Sequence, residues 1–168
     1  MTTLLFEHES FGEHETPPGH PERAARYGAV RDALAGERFG ALIRRAAPRA
    51  AEASIRRVHA GAYVDAIFAA APEDGMVRLD PDTVMGPHSL GAALRAAGAG
   101  VAAVDAIYAG EASNAFVAAR PPGHHAPADR AMGFCLFNSA AIAALHARDA
   151  RGAKRVAVVD FDVHHGNG

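Results

Sequence analysis

Two histidine pairs carry the chemistry in this chain. His124-His125 lies in RPPGHHAPADRAMGF, Arg120 to Phe134, and His164-His165 lies in VDFDVHHGNG, Val159 to Gly168. The second pair is interleaved with Asp160, Asp162 and Asn167. Side chains alternate along an extended chain, so Asp160, Asp162 and His164 are expected on one side and Phe161, Val163 and His165 on the other. An Asp and a His two residues apart can pinch a divalent ion at about 2 Å, and zinc suits such a mixed donor set. Three protein donors with an open position would leave room for water, and Asp162 and His164 are the two convincing ones here. Adjacent histidines suit divided labour, one taking a proton while the other stays charged. Each needs a partner on its second ring nitrogen to fix its tautomer, and Asp160 and Asn167 are the candidates. An Asp would raise its histidine's basicity. An Asn would orient the ring without adding charge and leave it free to act as a base.

Each motif alone has a plainer reading. Asp-x-Asp-x-His can finish a strand, and tandem histidines can sit in an exposed turn. Their joint placement decides in favour of a site. NAFVAA (114–119) reads as a strand, Asn138 can cap a helix through SAAIAALHARDA, and RVAVVDF (155–161) reads as another strand. The run Val156 to Val159 is expected to be covered on both faces. Strand, helix, strand with short connections implies a parallel βαβ unit. Ligands bind beyond the carboxyl ends of such strands, which would bring both histidine segments to one sheet edge.

The rest of the chain must support that edge. TTLLF (2–6) is a short strand candidate, and residues 7–20 read as a long loop. A helix is expected from near Pro21 to Gly36. Ser54 can cap a segment through IRRVHAGAYVDAIFAAA, split at Gly61. MVRLD is a weak strand, residues 80–87 a turn-rich loop, and Ser89 can cap a long helix ending near Gly110. The Ala/Gly-rich stretch 92–109 carries Arg95 and Asp105 and reads as a packed helix, not a membrane span.

The chain's 168 residues suggest one domain, without linker or low-complexity tract. With 17 basic and 19 acidic residues, no basic field for nucleic acid or membrane is present. The single cysteine, Cys135, excludes an internal disulfide and, with an N-terminus that lacks signal-peptide character, points to the cytoplasm. The wealth of Ala and Arg suggests a GC-rich bacterial genome.

RPPGHHA, GFCLFNSAAIAA and VDFDVHHGNG, in this order and spacing, resemble the zinc-dependent histone deacetylase family, nearest its class II branch and the bacterial amidohydrolase relatives. HPER (20–23), VHAGAYVDAI and LDPDT (79–83) also match, so the resemblance covers nearly the whole chain. It implies the arginase/deacetylase fold, a three-layer αβα arrangement with a mainly parallel sheet, incomplete in this chain. It further implies Asp162 and His164 as zinc ligands, His125 as general base and then acid, and His124 as an electrostatic partner bonded to Asp160. By the same resemblance Asn167 supports His125, and Gly133 and Phe134 line a narrow tunnel for an acyl-lysine-like chain. The backbone carbonyls of Asp160, Asp162 and His164 resemble a structural potassium site. Arg23 resembles a channel residue behind the site, and either Asp80 or Asp82 a rim residue. Phe161 stands where many class II members have Trp. Cys135, beside the tunnel, reads as a buried small hydrophobe.

The family's third ligand, an Asp, and its carbonyl-polarising Tyr have no counterpart in residues 1–168. The expectation is therefore the N-terminal part of a single deacetylase catalytic domain, inactive by itself. The implied reaction is removal of acetyl or acyl groups from lysine-like or polyamine amines by metal-activated water, with one zinc per site. The rival readings are a non-catalytic acyl-amine-binding module of the same fold and a binuclear ureohydrolase-like enzyme. No oligomeric state is implied.

Overall fold

The computed structural model describes residues 1–168. Its centre is β1 (Thr3–Glu7), whose Leu4, Leu5 and Phe6 are consecutive and all buried. Burial without alternation means both faces are covered, as in the middle of a parallel sheet. β1 pairs in parallel with β2 (Ile43–Ala46) on one edge and with β5 (Asn114–Val117) on the other. A small antiparallel ladder, β3 (Val77–Arg78) with β4 (Val84–Met85), stands apart.

Helices supply the other layers. α1 (Ser10–Glu13) and α2 (Ala24–Leu34) lie between β1 and β2 in sequence, and α3 (Glu52–Ile55) and α4 (Gly61–Ala70) follow β2. α5 (Ser89–Tyr108) buries Ala92, Ala96, Ala99, Ala103 and Ala106 in one cluster with Leu4, Leu5, Phe6, Phe11 and Tyr27. Those positions recur every three or four residues, the spacing of one helix face. Its Ala93, Leu94 and Ala97 join Tyr63, Val64, Met85, Phe137 and Ile142 in a second cluster. α5 has the length and hydropathy of a membrane span, yet much of it is packed between these two clusters. α6 (Ser139–Asp149) starts where the sequence placed its cap, with Asn138 Oδ1 accepting the Ala141 N–H at 3.0 Å. This mainly parallel sheet dressed with helices is part of the expected three-layer α/β fold.

Several expectations need correction. Residues 155–161 form no strand and join no sheet. Val158, Val159 and Phe161 are exposed, Phe161 at 97%. A buried parallel strand needs a hydrogen-bonding neighbour and a layer on each face. Here a cavity of about 510 Å³ separates this segment from β5, α5 and α6, so the βαβ unit lacks its last strand. The helix expected over 21–36 is α2, confined to Ala24–Leu34. Ser54 lies inside α3, and the split at Gly61 is real, because α4 begins there. Ser89 is the first residue of α5 and not its cap; its Oγ accepts the Gly86 N–H at 2.8 Å. The loop over 7–20 contains α1, and β2 went unread because Ile43-Arg44-Arg45-Ala46 lacks a hydrophobic alternation.

Candidate active site

The tandem histidines begin four residues past Arg120, on the loop leaving the carboxyl end of β5. Their rings are 4.1 Å apart, and each is held through Nδ1. His124 Nδ1–H donates to Asp160 Oδ2 at 2.8 Å, and His125 Nδ1–H donates to Asn167 Oδ1 at 2.8 Å. An amide oxygen can only accept, so His125 carries its proton on Nδ1 and keeps a lone pair on Nε2. The Asn167 amide is itself oriented, since its Nδ2 donates to the His125 carbonyl at 3.2 Å. The Gly168 N–H donates to the His124 carbonyl at 2.8 Å. The hydrogen bond from His124, aided by the Asp162 N–H, holds the Asp160 carboxyl below its usual range.

Two glycines permit this docking. A Cβ on Gly166 would run into Asp160 Oδ2, and one on Gly168 would stand 2.5 Å from the Ala126 carbonyl oxygen. Both distances are shorter than any real Cβ contact, so the ending G-N-G is a fit to the histidine loop.

Asp162 and His164 come together, although not by strand alternation. The Asp162 N–H donates to Asp160 Oδ1 at 3.1 Å, and the His164 N–H donates to Asp162 Oδ1 at 2.8 Å. These are successive Asx turns, which repeat every two residues as a strand does but curl the chain. The second turn, with the His164 side chain, lowers the Asp162 carboxyl's pKa. Asp162 Oδ1 and His164 Nδ1 are 3.1 Å apart. Two donors about 2 Å from one zinc at a near-tetrahedral angle stand about 3.3 Å apart, so this pair fits such an ion. The His164 and His125 rings are 6.2 Å apart, which puts Asp162 and His164 beside the tandem histidines. No third His, Cys, Asp or Glu joins them. The carbonyls of Asp160, Asp162 and His164 accept no backbone hydrogen bond, which leaves them available to a cation.

Gly133 and Phe134 form the tip of a two-residue turn between Met132 and Cys135, with φ of 57° and 68°. Positive φ at both positions is the type I′ pattern, which suits Gly and strains Phe. Side chains of the LDPDT segment hold the turn. The Gly133 N–H donates to Asp82 Oδ1 at 3.2 Å and the Phe134 N–H to Thr83 Oγ1 at 3.0 Å. Asp80 instead accepts the N–H groups of Asp82 and Thr83, so Asp82 is the acid that touches the turn. A Cβ on Gly133 would lie 2.6 Å from His125 Cγ, so the glycine packs on the His125 ring. The Phe134 ring meets His20 edge-on at 4.9 Å. Cys135 is fully buried, and burial pushes its thiol up to about 12, which makes it a small apolar residue and not a nucleophile.

Arg23 is exposed at the head of α2. The neighbouring cavity beside Glu22, Arg120 and Pro122 is lined by Arg26, one turn further on, and not by Arg23. Arg26 and Thr83 escaped the sequence reading, which left Asp80 and Asp82 open as the rim acid. The adjacency of Asp-Thr to a turn was the available signal, but their partner lies fifty residues away.

Residues 20–168 match the family model described as histone deacetylase domain. The chain is 47% identical over 124 residues to a histone deacetylase-like amidohydrolase of Pseudomonas aeruginosa, an alignment covering 74% of this chain and 32% of that protein. It is 50% identical over 82 residues to the human polyamine deacetylase HDAC10, covering 49% of this chain and 12% of the other. The solved HDA15 HD domain superposes with a TM-score of 0.93 at 38% identity, covering 99% of this chain and 49% of that one. The chain thus spans about a third of the amidohydrolase and about half of the solved domain.

Proposed function

The chain belongs to the histone deacetylase family, and from that premise we propose that the protein is a zinc-dependent amidohydrolase whose catalytic domain includes residues 1–168. It removes acetyl or related acyl groups from lysine-like or polyamine amines. The observation that carries this reading is the pair of histidines held at Nδ1 by two different acceptors, one charged and one neutral. His125, bonded to a neutral amide, presents Nε2 to take a proton from the attacking water and return it to the leaving amine. His124, bonded to the Asp160 carboxylate, is the electrostatic partner beside the reacting carbonyl.

Asp162 and His164 would hold the zinc, which when bound supplies a Lewis acid and lowers the pKa of water. A third donor is expected from outside residues 1–168, since catalytic zinc sites normally hold three. Gly133 and Phe134 form one wall for the acyl chain, and the free carbonyls of Asp160, Asp162 and His164 suit potassium. The names of the relatives support an N-acyl amine as the substrate class.

The test is to purify the full-length protein, measure its zinc, and assay acetyl-lysine peptides against acetylpolyamines. One zinc per chain with turnover of at least one class is expected. Full turnover after complete removal of metal would refute the reading. Residues 1–168 alone are expected to hold zinc weakly and to turn over neither substrate.

A further inference from the structure

A second cluster of ionisable side chains lies behind the histidine loop and takes no part in the reaction just described. Glu22 is fully buried and Arg120 nearly so. Arg120 grips both Glu22 carboxylate oxygens, with NH2 donating to Oε2 at 2.7 Å and Nε to Oε1. Its remaining arm, NH1, donates to the Phe11 carbonyl at 2.7 Å. His14, also buried, stands with Nε2 3.4 Å from Glu22 Oε2 and Nδ1 2.7 Å from Ser89 Oγ at the head of α5. The Glu22 main chain is held as well, its carbonyl accepting the Thr16 hydroxyl at 2.5 Å.

Arg120 is the residue from which Pro121-Pro122-Gly123 leads to His124 and His125, so fixing its side chain fixes the start of the loop. The same short segment reaches the site's other wall. His20, two residues before Glu22, donates from Nε2 to the Asp82 carbonyl at 3.1 Å, and Asp82 in turn holds Gly133. Glu22 therefore stands between the loop that carries the base and the turn that packs on it.

A buried ion pair is a poor device for stability, because well-packed apolar residues often do as well or better. What apolar residues cannot supply is direction, and a bidentate fork fixes both the distance and the plane of its partner. We infer that Glu22 and Arg120 are positioning residues for the reaction, setting the histidine loop so that His125 stays bonded to Asn167 with Nε2 facing the substrate.

This inference rests on the function proposed above. The test uses the zinc-loaded full-length protein and three variants: Arg120→Lys, the apolar double replacement Glu22→Leu with Arg120→Met, and His125→Ala. The double replacement removes the fork without leaving a lone buried charge, and Arg120→Lys keeps the charge while losing the plane. Melting temperature reports folding, and long-range 15N correlation spectra report the His125 tautomer. Both fork variants are expected to lose kcat by roughly 10- to 100-fold, as small misplacements of a reacting group do. KM should stay within about threefold, because uniform binding is untouched, and the His125 Nδ1–H signal should weaken.

Wild-type kcat with an unchanged His125 spectrum in a folded fork variant overturns the inference. So does a loss that merely tracks the folded fraction. His125→Ala separates the two claims: if it keeps full turnover the proposed function fails, and if it is inactive while the fork variants are normal only the positioning role fails. Should the double replacement not fold, Arg120→Lys alone decides by the same readings.

Discussion

The two segments that make the site are built in opposite ways. Residues 120–138 are tied down by buried groups at both ends: Arg120 to Glu22 and Phe11 at the start, and the Asn138 N–H to His59 Nε2 at 2.9 Å at the finish. Residues 155–168 are exposed, and their side chains and final N–H reach the body through Asp160, Asn167 and Gly168. His124 and His125 thus sit on a frame set by the core. Asp162 and His164 sit on local turns, where the His164 side chain is 74% exposed. The difference teaches that the histidine loop is preorganised by buried groups of the core, while Asp162 and His164 are arranged by local turns.

That contrast can be broken from several sides. The largest expected effect on stability is at Glu22. Burial alone would raise its pKa, but hydrogen bonds from His14 and Arg120 outweigh that and hold it at about 2 against an ordinary 4.5. A carboxyl depressed in the folded state stabilises above its unfolded pKa and loses that contribution as pH falls through the folded one. The shift corresponds to about 3 kcal/mol, lost between pH 4.5 and 2. Denaturant melts across that window should fall more steeply for the wild type than for Glu22→Gln. Parallel curves would show that the frame does not depend on this group.

Phe134→Ala should weaken binding of the substrate's alkyl chain by about 1–3 kcal/mol through lost apolar contact. Phe134→Gly should bind as poorly but regain about 1–2 kcal/mol of folding stability, because glycine accepts the left-handed turn. Equal stabilities for the two variants would mean that the turn carries no strain. Asn167→Ala should lower kcat by less than loss of His125 itself does, with KM little changed, since it removes orientation and not the base. The smallest effect is expected at Val159. In residues 1–168 alone, Val159→Asp should alter stability by less than about 0.5 kcal/mol, as exposed substitutions do. A loss of several kcal/mol would show the segment to be packed as a strand.

What the sequence made legible follows the same division. The Asn138 cap, the long helix α5 and the strand after residue 113 were readable because each is set by a local signal: a side-chain acceptor, a helical period, a run of β-formers. The pairing of the two histidines with an Asp and an Asn was open to chemical reasoning, and the family resemblance decided which took which. The run Val156 to Val159 misled, because a strand's hydrophobicity says what it wants to bury against and not whether the neighbour is there. β2 was missed for the converse reason: its arginines at 44 and 45 find Glu7 and Glu111 in space, and nothing nearby in sequence marks them. The Asx turns at Asp160 and Asp162 have the same two-residue period as a strand, so periodicity could not separate them.

The most direct test is His125→Ala in the full-length protein, with zinc content, KM and kcat measured on whichever acyl-amine the wild type turns over. The account expects kcat to fall by roughly 10²–10⁴, with zinc retained and KM little changed. Turnover equal to the wild type in a zinc-loaded variant would contradict it, because the ring that Asn167 holds would then move no proton.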